Sequence, residues 1–410
     1  MKNYFSLVFI YCLFSFKINL VGEFRLDDVL AFSLIIIFLS ANNKNLFFDK
    51  PVILMLAFIA LSLFSSLYNS LVEHINFIRG FLFSIRHFEY LIFIVLGFFL
   101  ASWGCNFTKI LKVYVIYALG LIMLQKLGVI APVSGFSASR AIANTGGPWE
   151  LAAIAAFLLL YFHEKKLWLY FGLSFLILFL TESRVTLAAV LVVFLFKFIR
   201  KDFIKSVFVA TFASFFVVIL LLFVSAINAN VNSKGLSNIV IFERVSDAFS
   251  SETFNSIVLT LNAITVVETQ EEYWELGYGD GLKEILKNDG DLSTVIRFAR
   301  WVVLVPTTLN GFDSTLIGLG PSFAGKAVDG NYIRLFIETG LIGLFIYLSF
   351  VFAFIKKTRL NYLSNYMIVI ALTATFIDIF TTYKALMVLW VFYGKFIYDT
   401  LQNRNQFKRI

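Results

Sequence analysis

Apolar residues come in long blocks along this chain, with short polar joints between them. The blocks fall at about 4–21, 29–41, 51–70, 88–103, 110–130, 149–162, 167–181, 185–199, 207–227, 335–355, 365–381 and 385–401. A helix crossing a bilayer needs about 20 apolar residues, so the pattern predicts an all-α, polytopic integral membrane protein with about 12 transmembrane helices. Blocks 29–41, 149–162 and 167–181 are short for this, and must borrow flanking residues or sit where the bilayer is thinned.

The interruption after the ninth block organises the chain. Residues 1–227 carry helices 1–9, residues 228–334 form one large loop of 107 residues, and residues 335–410 carry helices 10–12 and a short tail. Loops longer than about 12–15 residues are usually functional or disordered. Apolar patches at 256–267 and 295–305, with Tyr273, Trp274, Tyr278 and Trp301, predict a small, mostly helical cap.

Composition narrows the class. The chain has 60% hydrophobic and 15% charged residues and a mean hydropathy of +0.85, against about 25% charged in an ordinary soluble domain. A soluble enzyme on a single anchor is excluded. The net charge of +8 reads as positive-inside bias rather than nucleic-acid affinity. With the N-terminus in the cytoplasm, the short cytoplasmic segments hold sixteen Lys/Arg and three Asp/Glu, and the short external ones six and five. The 107-residue loop, external on this count, reverses the balance with eight Lys/Arg and thirteen Asp/Glu. Both termini are therefore expected inside. Cys12 and Cys105 form no metal or redox motif, and neither metal nor cofactor is expected. The first block lacks a small-residue cleavage site and reads as a span.

Charges within the blocks are costly, about 2.5–3.5 kcal/mol each at a helix centre. Lys17, Glu89, Lys126, Glu150, Glu338 and Asp378 sit toward the outer ends of their blocks, and Arg79, Arg86, His74, His87, Arg140 and Arg184 are expected on external turns. Singly they can snorkel to the interface; together they suggest a polar chamber opening outward. Gly320 to Lys326 looks like a P-loop, but Ala327 stands where the Mg²⁺-binding hydroxyl belongs. Asp289-Gly290-Asp291 reads as an acidic turn. Arg297, Arg300 and Trp301 fall at helical spacing, and Gly311, Gly318 and Gly320 follow. Guanidinium groups bind phosphate bidentately, so these arginines suit a diphosphate headgroup; the alternative is pairing with the acids of their own loop.

Several of these stretches resemble a known family. Asp329-Gly330-Asn331-Tyr332, running on through Glu338-Thr339-Gly340 to Gly343, resembles the start of the helix after the large loop in O-antigen polymerases (Wzy) and the related O-antigen ligases. Gly318-Leu319-Gly320-Pro321 and the spacing from Arg300 to Gly311 fit the same pattern. Glu182-Ser183-Arg184 resembles the Ser-Arg turn of both families, and Arg140 with Gly147-Pro148-Trp149-Glu150 resembles a polymerase segment. Leu151, where a Gly would complete the Arg140 spacing, departs from it. The ligase family places a histidine near 329; Asp329 stands there and the large loop has no His, which favours the polymerase over the ligase, with a flippase as the third alternative.

The resemblance implies a GT-C-like glycosyltransferase of the bacterial inner membrane with the large loop periplasmic. It implies undecaprenyl-diphosphate-linked oligosaccharides and membrane lipid as partners, a chain-length regulator and a flippase as further candidates, and no nucleic acid. Arg184, Arg300, Arg140 and Arg297 become candidates for the diphosphate. Asp329, Glu150 and Glu182 become candidates for a base, and Gly311, Gly318 and Gly320 let loop backbone approach substrate. Asp329 could instead neutralise Arg300 or cap the following helix.

Overall fold

The computed structural model describes residues 2–16, 19–21, 24–25, 30, 33, 49–131, 140–199, 266–267, 269–278, 292–325, 328–359 and 361–407. Most of block 29–41, all of block 207–227 and about half of the large loop, with Asp289-Gly290-Asp291, lie outside the described residues. What is described is helices joined by turns and irregular segments, with one short antiparallel ladder, β1 (Asn19–Val21) with β2 (Phe24–Arg25). The helices are α1 (Lys2–Phe14), α2 (Lys50–Leu71), α3 (Phe77–Ser102), α4 (Phe107–Lys126), α5 (Pro148–Glu164), α6 (Trp168–Leu180) and α7 (Arg184–Ile199). In the large loop lie α8 (Gln270–Tyr278), α9 (Leu292–Leu309) and α10 (Phe312–Ile317). They are followed by α11 (Asn331–Lys357), α12 (Tyr362–Thr373), a 3-10 turn (Ile379–Thr381) and α13 (Tyr383–Phe407).

Four of these, α2, α3, α4 and α11, are long and apolar enough to cross a membrane, and Tyr4–Phe14, α6 and α12 are shorter apolar helices. On the outer face of α11, Leu341, Phe345, Leu348 and Phe352 are all exposed at helical spacing. So wide an apolar face suits contact with lipid or another protein and not water. Helix α5 is the opposite case: nearly every residue from Pro148 to Phe162 is buried, as expected of a helix apolar all round.

Helices α3 and α13 run side by side in the same direction. Their backbones touch at two glycines, since a Cβ on Gly97 would overlap the Val391 carbonyl and one on Gly394 the Ile94 carbonyl. Small residues permit such approach where apolar helices meet. Helices α2 and α11 are antiparallel. Asp49 before α2 pairs with Lys357 at the end of α11 at 2.6 Å, while Ser65 near the end of α2 reaches the Glu338 carbonyl near the start of α11 at 3.0 Å.

Three boundaries differ from the sequence reading. Helix α3 begins at Phe77, well before the apolar block at 88, because Asn76 caps it by accepting the Arg79 N–H. Arg79, Arg86 and His87 are therefore helical rather than on an external turn; the His87 ring lies among Phe58, Tyr90 and Tyr347. The first block ends as a helix at Phe14, where its last carbonyls are taken by Asn144, Lys384 and the Tyr117 hydroxyl. The block at 365–381 splits into α12 and the 3-10 turn, with Asp378 at the break.

Cysteines placed at Ser233, in the large loop, and at Arg359, exposed after α11, test the topology in a background lacking Cys12 and Cys105. An impermeant maleimide is expected to label position 233 in spheroplasts and position 359 only after permeabilisation. The converse inverts the topology.

Candidate functional site

Helix α11 is broken at Gly340, which has φ 65° and ψ −167°. A broken helix leaves backbone carbonyls without partners, and in a buried place they must be met by other groups. Here the chain segment after α10 does this. Leu319 N–H donates to the Ile337 carbonyl at 2.7 Å, and the Ser65 hydroxyl lies 2.7 Å from the Ile317 carbonyl and 3.0 Å from that of Glu338. Gly318 is the contact point: with φ +80°, it has its Cα against the Glu338 and Thr339 backbone, where any Cβ would overlap. Gly320, at φ +93°, lies against the side chains of Ile75 and Asn69. Gly318 is thus required by contact with the α11 backbone, and Gly320 by its left-handed φ. Gly311 precedes α10 and accepts from Thr315.

Three ionisable side chains meet beneath this loop. Arg334 is 2% exposed; its guanidinium donates to Asp378 Oδ2 at 3.0 Å and to Glu338 Oε1 at 3.4 Å. Glu338 Oε1 also accepts the Ser322 N–H at 3.4 Å. Asp378 accepts the N–H groups of Val328 at 2.7 Å, Asp329 at 3.2 Å and Gly330 at 3.2 Å. The turn into α11 is therefore capped by Asp378 and not by Asp329. A lone buried charge is costly, and partners plus amide hydrogen bonds offset that cost.

Above the triad, Asp329 takes a left-handed backbone conformation, φ 59°. Its Oδ2 accepts from Arg300 at 3.2 Å and lies 4.0 Å from Arg297 Nε. Arg297 and Arg300 are one turn apart on α9 and so share a face. Trp301 on the same helix donates its indole N–H to the Val328 carbonyl at 3.1 Å. Burial holds the Asp329 carboxyl above the ordinary aspartate range; the guanidiniums of Arg297 and Arg300 pull it down, and Asp378 pushes it up. The net effect makes it a better proton acceptor than a solvated aspartate.

The remaining candidates lie around α5 to α7. Arg140 Nε donates to the Thr181 carbonyl at 3.3 Å, and Ala141 N–H to that of Leu180 at 3.0 Å. The cation thus sits on the C-terminal end of α6, where the helix dipole favours it. Glu182 follows with φ 54° and a buried Oε2 that has no hydrogen-bond partner among the described residues. Ser183 and Arg184 open α7. Glu150 is buried with both oxygens engaged, accepting the Gly146 N–H at 2.7 Å and the Lys384 N–H at 2.8 Å. Its hydrogen bonds are those of a first-turn carboxylate holding a loop.

The structure thus joins Arg297, Arg300, Asp329, Gly318 and Gly320 in one neighbourhood, and Arg140, Glu182 and Arg184 in another. Sequence reasoning missed Arg334 and Lys384. An arginine four residues before Glu338 was the available signal, because that spacing places the pair on one helical face. No group of three or more metal-ligating side chains occurs among the described residues. No protein-family model matches the chain, and no curated protein matches its sequence.

Replacing Arg334 by Met leaves Glu338 and Asp378 buried without their cation, a change that costs about 3–5 kcal/mol. The variant is expected to accumulate poorly in membranes and to melt far below the wild type in detergent. Wild-type melting would show that the triad does not support the fold.

Proposed function

We propose that the chain is a surface-polysaccharide polymerase of the O-antigen (Wzy) type, a glycosyltransferase of the bacterial inner membrane. On this reading it has about twelve spans, both termini cytoplasmic and the 107-residue loop periplasmic. It joins undecaprenyl-diphosphate-linked oligosaccharide repeats. The observation that carries the proposal is the convergence of Arg297 and Arg300 on Asp329 where the large loop meets α11. The four membrane-length helices support the setting, and the antiparallel course of α2 and α11 fits the proposed alternation of spans.

The chemistry follows from those groups. A hydroxyl of the acceptor repeat attacks the anomeric carbon of the growing chain. The new glycosidic C–O bond forms as the C–O bond to the diphosphate breaks, and the lipid diphosphate leaves with the electron pair. Charge develops on the leaving group, and preorganised cations aimed at it are the largest source of rate. Arg300 and Arg297 serve that role on this reading, with Arg184 and Arg140 as the second cationic group. Arg300 now donates to Asp329. An incoming diphosphate competes for the same guanidinium and releases the carboxylate, which then takes the proton of the attacking hydroxyl. The raised proton affinity of Asp329 suits it to this step.

Lysine at position 184 or 300 keeps the charge but loses the bidentate fork. Each Arg→Lys variant is expected to sharply reduce long polymer at normal protein level; wild-type polymer from both would end the diphosphate assignment. Asp329→Asn keeps shape and loses basicity. General-base assistance is worth about 10²–10⁴-fold, so this variant is expected to abolish long polymer while its amount in the membrane is unchanged. Normal polymer would remove Asp329 as the base.

A further inference from the structure

Asp378 lies outside every motif discussed above, yet its carboxylate receives four hydrogen bonds. Three come from the consecutive amides of Val328, Asp329 and Gly330, and one from Arg334. Successive N–H groups converging on an anion form a nest, and the left-handed Asp329 backbone is what turns them inward. The same two chain segments are tied at further points. Asn331 Oδ1 accepts the Phe380 N–H at 2.7 Å. Asn331 N–H donates to the Ala374 carbonyl at 2.8 Å, and the Tyr332 hydroxyl to that of Ala371 at 2.8 Å. From the other side, Trp301 holds the Val328 carbonyl and closes on Gly330, where a Cβ would lie 2.9 Å from the indole.

We infer that Asp378 is a positioning residue: it holds the 328–330 turn so that the Asp329 carboxylate faces Arg297 and Arg300. The clamp stands on geometry alone, and its consequence for activity rests on the polymerase reading. Shape alone cannot replace this carboxylate. An asparagine offers one acceptor oxygen in place of two and carries no charge for Arg334. The Asp329 side chain, held through its backbone, then loses its fixed place beside Arg300. A strained non-glycine φ persists only where the surroundings over-determine it, and Asp378 is the group that does so here.

The test compares wild type with Asp378→Asn, Asp378→Glu and Asp329→Asn, each as the full chain in nanodiscs, by hydrogen–deuterium exchange and by polymer length in cells. In Asp378→Asn the amides of 328–330 are expected to exchange at least roughly tenfold faster, as loss of charge-assisted hydrogen bonds requires. Peptides from α5 are expected to be unchanged and polymer shortened. Asp378→Glu, which keeps the charge and both oxygens, is expected to recover protection and polymer at least in part. Unchanged exchange at 328–330 overturns the clamp. Faster exchange with wild-type polymer overturns the positioning role, provided Asp329→Asn lacks polymer. Equal loosening of α5 in both Asp378 variants overturns it as well, making Asp378 a determinant of the whole fold. Where Asp329→Asn itself makes wild-type polymer, the base assignment is what has failed, and exchange still decides the clamp.

Discussion

The break in α11 at Gly340 forces backbone carbonyls to find partners deep inside the protein, and the site takes its shape from how they are met. Non-helical backbone within a membrane-length helix is tolerated where protein surrounds it. Here the segment from Ile317 to Leu319 enters the notch, with Ser65 and Asn69 of α2 bonding to it from the other side. That fixes where the large loop returns to the bundle. It also fixes where Asp329 and the α9 arginines stand relative to α11, since they sit on the same returning loop.

The buried triad follows from the same constraint. Arg334, Glu338 and Asp378 come from the first turns of α11 and from the break after α12, and each satisfies groups the others leave open. Such an ion cluster is weak support for raw stability, because desolvation opposes the Coulombic gain. Its plainer consequence is registry: the helix start, the 328–330 turn and the segment after α12 lock in one arrangement. Lys384 plays a similar part at α1, where its ammonium donates to the carbonyls of Leu13, Ser15 and Asn144.

Much of the helical frame is legible in the apolar blocks, because a long run such as 51–70 leaves the backbone little choice but helix. Asn76 and Asp378 mark where that reading fails. An N-cap started α3 eleven residues before its apolar block, and what read as a continuous span at 365–381 ends as a helix at Thr373, with the part-buried Asp378 opening a separate 3-10 turn. Both are single polar residues whose effect depends on tertiary partners. Within the candidate site, the helical spacing of Arg297 and Arg300 put both on one face, and the structure brings that face against Asp329. The partner of the 328–330 turn did not show in that spacing, since Asp378 lies 48 residues beyond Gly330 and only the fold brings them together. Glu150 shows the converse: its place after Gly147-Pro148 suggested chemistry, and its oxygens are occupied by backbone amides.

The surface polysaccharide of a strain lacking this chain tests the account most directly. Lipid A-core carrying a single repeat, with long polymer absent and restored by the wild-type chain, is the result expected of a polymerase. Bare core with full-length polymer retained on the lipid carrier, or repeats trapped on the cytoplasmic face, would contradict it.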